Sequence, residues 1–123
     1  MKLMIVDDSI FTQKYIKKVI TTRFPTLEII IADSGEHALE LYKDDKIDFI
    51  ITDLLMPGMG GQELIRIIRE TDNEINIVVH SSDIQKVVKE EIMQFNVLSF
   101  INKPMNLEKE ESFIRIIEEC LNA

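Results

Sequence analysis

Five short, nearly uninterrupted apolar runs constrain this chain more than any other feature. They fall at residues 3–6, 27–32, 47–52, 75–80 and 98–101. Runs of this length without a polar alternation suit strands buried on both faces. Between them the spacing turns helical, with side chains recurring at i, i+3 and i+4. Phe11, Tyr15 and Val19 with Ile16 and Ile20 mark a first helix, and Ala38, Leu41 and Tyr42 a second. Leu64, Ile65 and Ile68 mark a third, Ile84, Val88, Ile92 and Phe95 a fourth, and Phe113, Ile114, Ile117 and Leu121 a fifth. Ser9, Ser34-Gly35 and Asn106 are start signals, and Pro25 ends the first helix. Strands alternating with helices predict a parallel sheet covered on both faces, an α/β domain.

At 123 residues the chain is one domain, residues 1–123, long enough to bury about two-thirds of its unfolded surface. Short connections and the absence of a repeat leave no sign of a linker or an effector domain. A net charge of −8 excludes a broad basic face for nucleic acid. Cys120 is the only cysteine, so no internal disulfide forms and a reduced compartment is expected. The first apolar run is stopped at once by Asp7 and Asp8, which is no secretory leader. Nothing approaches the ~20 apolar residues of a membrane helix. The expected location is cytoplasmic.

Four of the five strands end in polar groups. Asp7-Asp8 follow the first, Asp53 the third, Ser81-Ser82-Asp83 the fourth and Asn102-Lys103-Pro104 the fifth. After Asp53 the chain breaks at Pro57, Gly58, Gly60 and Gly61, so one carboxylate is presented at the head of an exposed turn. In a parallel sheet these ends share one edge, where ligands of open α/β sheets bind. For the doubly wound order 2-1-3-4-5, carried over from a known class of sheet, the three aspartates fall at the reversal of strand order.

Three carboxylates at one edge repel, at about 4 kcal/mol for a pair 4 Å apart at an effective dielectric near 20. Either a pKa rises or a cation binds. All-oxygen ligands without His or Cys at useful spacing favour Mg²⁺ over zinc. His80 alternates to the face opposite Ser81, which suits packing. A carboxylate such as Asp53 can attack phosphorus to give an acyl phosphate. Mg²⁺, the Lys103 ammonium and the Ser81 hydroxyl then neutralise the phosphoryl oxygens.

Taken together, Asp7-Asp8, Asp53 with Met56-Pro57 and Gly61, Ser81, and Lys103-Pro104 resemble the receiver domain of bacterial two-component response regulators. The likeness covers essentially the whole chain. It implies a flavodoxin-like fold of five strands and five helices, and a stand-alone, chemotaxis-regulator-like signalling switch that catalyses only its own phosphorylation and dephosphorylation. Asp53 is implied as phosphoacceptor from a histidine kinase or histidine phosphotransfer protein. Asp8 is implied as a direct Mg²⁺ ligand and Asp7 largely as one through water, with Asp53 and the Leu55 backbone carbonyl completing the set. A cis Lys103–Pro104 bond and switch positions at Ser81 and Phe100 are also implied, acting on the face of helix four, strand five and helix five. The downstream protein partner and the choice between monomer and phosphorylation-dependent dimer stay open. Gly60 stands where the family usually has Asp or Asn, which loosens the loop after Asp53, and Ser82 replaces a usual alanine.

Two rival readings differ in class. A pseudo-receiver would use the same fold to bind proteins without phosphorylation, against which the complete Asp7, Asp8, Asp53, Ser81 and Lys103 set argues. A flavin-binding protein would meet repulsion of its phosphate at Asp7-Asp8-Ser9, and an aspartate-nucleophile phosphatase would need an acid where Leu55 stands.

Overall fold

The computed structural model describes residues 1–82 and 85–123. Five strands, β1 (Lys2–Val6), β2 (Glu28–Ala32), β3 (Phe49–Thr52), β4 (Asn76–Ser81) and β5 (Ser99–Asn102), alternate with five helices. The helices are α1 (Ile10–Arg23), α2 (Gly35–Asp44), α3 (Gly61–Arg69), α4 (Lys86–Met93) and α5 (Leu107–Leu121). All strand pairs are parallel, in the order β2-β1-β3-β4-β5. This is the doubly wound α/β sheet expected from the alternation. Val6, Thr52, Val79 and Phe100 share one row of the register. Both aspartate amides extend the ladder beyond it, Asp7 N–H to the Ala32 carbonyl and Asp53 N–H to the Val6 carbonyl. Pairing alone therefore sets Asp7 and Asp53 side by side.

The period of two along each strand divides the core into two layers. Met4, Val6, Ile50, Ile77 and Val79 pack against Ala38, Leu64, Ile65, Ile68 and Ile92 of α2, α3 and α4. Leu3, Ile5, Phe49, Ile51 and Val78 pack against Ile16, Ile20, Phe113 and Ile117 of α1 and α5. Three helices begin at side-chain caps. Ser9 accepts from the Thr12 N–H, Ser34 from the His37 N–H and Asn106 from the Lys109 N–H. No described helix is long and apolar enough to cross a membrane.

Some expected core positions lie elsewhere. Phe11, in the first turn of α1, is 80% exposed, and Leu121, the last residue of α5, is 39% exposed. Ile84, expected on the fourth helix, lies outside the described residues. Ile47, Ile75 and Leu98 precede their strands instead of opening them. Val88, within α4, and Phe95, two residues past its end, are half-buried against the same core layer as Ile92, the one fully buried residue of that helix.

Arg69 occupies an apolar position of α3, four residues after Ile65, and is almost fully buried. Its guanidinium donates to the carbonyls of Phe95 (2.7 Å), Asn96 (3.1 Å) and Asp72 (3.1 Å). It thereby ties the end of α4 to the end of α3. Burial lowers its pKa, opposed by the charge of Asp72. Arg69→Ala leaves three carbonyls without this donor, so urea unfolding is expected to show a loss of about 2–4 kcal/mol with an unchanged m-value.

Candidate functional site

The polar strand ends converge at one edge of the sheet. Asp7, Asp53 and Ser81 are buried, while Asp8 faces solvent. Carboxylate oxygens of Asp7, Asp8 and Asp53 all lie within 4.8 Å of one another. Lys103 reaches in from the end of β5 and donates to Asp7 Oδ2 at 2.9 Å and to Asp53 Oδ2 at 3.0 Å. The Ser81 hydroxyl donates to Asp53 Oδ1 at 2.5 Å, and the Leu55 N–H donates to the same oxygen at 3.1 Å. The Lys103 N–H extends the ladder to the Ser81 carbonyl, and the Lys103–Pro104 bond is cis.

The loop after Asp53 folds back on itself. The Gly61 N–H reaches the Leu54 carbonyl at 3.3 Å, and the Thr52 hydroxyl donates to the Asp53 carbonyl at 2.8 Å. A Cβ at Gly61 would stand 2.0 Å from the Asp53 carbonyl oxygen, so only glycine fits there. The Asp7 carboxylate accepts from the Ser9 N–H, and its backbone carbonyl accepts from Gln13 Nε2.

Burial raises the Asp7 pKa, opposed by Lys103 and the Ser9 amide. Burial also pulls Lys103 down, but its bonds to Asp7 and Asp53 outweigh this and its pKa ends above the usual lysine value. The ammonium is thus held charged between two carboxylates. Three acids against one lysine leave a surplus of negative charge, with Asp8 open to solvent. The cluster is all oxygen and suits a hard divalent cation of the Mg²⁺ type. Fit to Mg²⁺ rests on this donor set.

Sequence reasoning named Asp7, Asp8, Asp53, Ser81 and Lys103, and the fold brings all five together. Phe100 stands apart on β5, half-buried, with Lys89 Nζ 5.6 Å from its ring centroid. Reasoning from spacing missed Gln13, the backbone amides on Asp53, and Glu36, whose carboxylate bonds the Met59 N–H. Gln13 was legible only as a polar residue one turn after the Ser9 cap. The others are contacts between distant segments and left no local signal.

A family profile described as the response regulator receiver domain matches residues 3–115. The chain belongs to that family. It is 28% identical over 122 residues to the chemotaxis protein CheY of Bacillus subtilis, covering 98% of each. It is 33% identical over 106 residues to a putative two-component response regulator, ARR13, of Arabidopsis thaliana, covering 84% of this chain and 18% of that protein. CheY apart, the chain spans less than two-thirds of the length of these curated relatives, from 6% to 65%. A CheY-like receiver domain of Methanospirillum hungatei superposes with a TM-score of 0.86 at 19% identity, covering 98% and 93% of the two chains. That likeness concerns the fold.

His80 lies beside this site, on the face of β4 opposite Ser81. It is 4% exposed, and its Nε2 has no hydrogen-bond partner among the described residues. Burial lowers its pKa from 6.5 to about 4; the charge of Lys103 adds to this and that of Asp53 opposes it. The folded imidazole is neutral where the unfolded one binds a proton, so stability is full above pH 6.5 and falls as pH drops toward 4. Its share of that loss is about 3 kcal/mol. Chemical unfolding at stepped pH is expected to show a shallower acid loss over this window in His80→Leu than in the wild type.

Proposed function

We propose that Asp53 accepts a phosphoryl group from the imidazole of a histidine kinase or histidine phosphotransfer protein, and that this switches binding to a further protein. The observation that carries the reading is the Asp53 carboxylate, buried between the Ser81 hydroxyl and the Lys103 ammonium with two more acids beside it. Asp7, Asp8, Asp53 and the Leu55 backbone carbonyl hold Mg²⁺ in this reading. Bound there, Mg²⁺ supplies positive charge against the phosphoryl oxygens. A carboxylate oxygen of Asp53 forms the new bond to phosphorus as the P–N bond breaks. The electron pair of that bond returns to the donor imidazole. Lys103 and Ser81 transfer their hydrogen bonds from the carboxylate to phosphoryl oxygens, so no further base is needed.

Exposed apolar side chains support protein partners on both counts. Ile10, Phe11, Leu55 and Leu107 are exposed on the segments that follow the site residues, where a donor protein has to approach. Val87, Met93 and Leu98 are exposed on α4 and ahead of β5, on the face assigned to output. Moving a two-state equilibrium from 1:99 to 99:1 takes about 5.5 kcal/mol, and one bond to a charged group contributes about 1.5–3 kcal/mol. Ser81 and Lys103 already bond the free carboxylate, so only the gain on transfer to the phosphoryl group counts, and neither residue supplies the shift alone. Phe100 then turns inward into the space that Ser81 leaves, against a cation–π contact with Lys89 worth about 0.5–1 kcal/mol.

Incubation with acetyl phosphate tests the chemistry by intact-mass measurement. The expected result is a gain of one phosphoryl group that needs Mg²⁺ and is lost in Asp53→Asn. A folded protein that neither gains mass nor binds Mg²⁺ with beryllofluoride would sink the reading in favour of an unphosphorylated binding module.

A further inference from the structure

The loop that carries Leu55 is tied at its far end by another helix. Gly60 is the N-cap of α3 and brings no side-chain hydrogen bond to the helix start. The residue before it is held instead by the first turn of α2. The Gly35 N–H donates to the Met59 carbonyl at 3.1 Å, and the Met59 N–H donates to Glu36 Oε1 at 2.9 Å. The two segments fit closely. A Cβ at Gly35 would stand 2.4 Å from the Met59 carbonyl oxygen, and one at Gly58 would stand 2.6 Å from Glu36 Oε2. Gly58 also has φ +75°, which other residues rarely adopt. At its near end the loop is held by the Leu55 N–H on Asp53 Oδ1. Residues 55–59 therefore run between two fixed points, one on the acceptor carboxylate and one on Glu36.

We propose that Glu36 is a positioning residue for the cation site: by holding the Met59 amide it sets the loop, and with it the direction of the Leu55 carbonyl. The inference rests on the reading of that carbonyl as a Mg²⁺ ligand. What Glu36 contributes is an acceptor oxygen at a fixed place, and a glutamine offers the same.

Two variants separate that role from the negative charge Glu36 adds to the first turn of α2. Glu36→Ala and Glu36→Gln lose the charge equally, but only the glutamine keeps an acceptor. Calorimetric titration with Mg²⁺, without any phosphodonor, is expected to show binding about fivefold weaker in Glu36→Ala and within about twofold of wild type in Glu36→Gln. In the metal-free protein the Met59 amide is expected to exchange its hydrogen faster in Glu36→Ala alone. Mg²⁺ binding in Glu36→Ala equal to wild type overturns the proposal, and so does an equal loss in both variants. A wild type that binds no Mg²⁺ at all takes down the reading of the site and this inference with it. That failure is distinct from wild-type binding that the alanine leaves intact.

Discussion

The Lys103 ammonium between Asp7 and Asp53 is the interaction on which the rest of the site depends. Two nearly buried carboxylates side by side are costly unless a cation is placed against both, and removing the partner of a buried ion pair typically costs about 3–5 kcal/mol. The parallel register makes the problem, since it carries Asp7 and Asp53 to neighbouring positions at the ends of β1 and β3. It also delivers the remedy, because the Lys103 amide is itself the last rung of the β4–β5 ladder. One lysine does not balance three acids. The surplus, with Asp8 open to solvent, is what makes a divalent cation a fitting guest.

Around this rigid edge the helices are unequally attached. α3 buries Gly61, Leu64, Ile65, Ile68 and Arg69, and its start closes against the Asp53 carbonyl. α4 buries Ile92 alone and has no side-chain cap at Gln85. Its far end is fastened by the Arg69 guanidinium on the Phe95 and Asn96 carbonyls. A helix held at one end with few buried side chains is drawn from the low-stability part of a fold. It lies beside Phe100, through Lys89, which suits a part that responds to events at Ser81.

Most of the architecture was legible in the chain because the central strands β1, β3 and β4, buried on both faces, cannot hide their composition; the edge strands β2 and β5 are only half-buried and kept apolar runs all the same. The five apolar runs and the capping residues Ser9, Ser34 and Asn106 place every element to within a few residues. Periodicity misled at Phe11 and Leu121, where the apolar spacing continued but the side chains are exposed. Arg69 was invisible for the opposite reason: it sits on the buried stripe of α3, yet its charge argues for solvent until three distant carbonyls are seen around it. Glu36 left no signal in the spacing, because its bond to Met59 joins residues far apart in sequence.

The sequence by itself determined which chemical groups end the strands and therefore at which edge of the sheet they gather, because alternation and strand polarity are local properties. The strand order was carried over from a known class, since no local signal says which strands are neighbours. Only the tertiary structure decided how the charges are shared: Lys103 on Asp7 and Asp53 at once, Ser81 on one Asp53 oxygen, Asp8 left to water. It alone also showed that the loop after Asp53 is fastened by α2. Such pairings join residues far apart in the chain, which composition and local spacing do not encode.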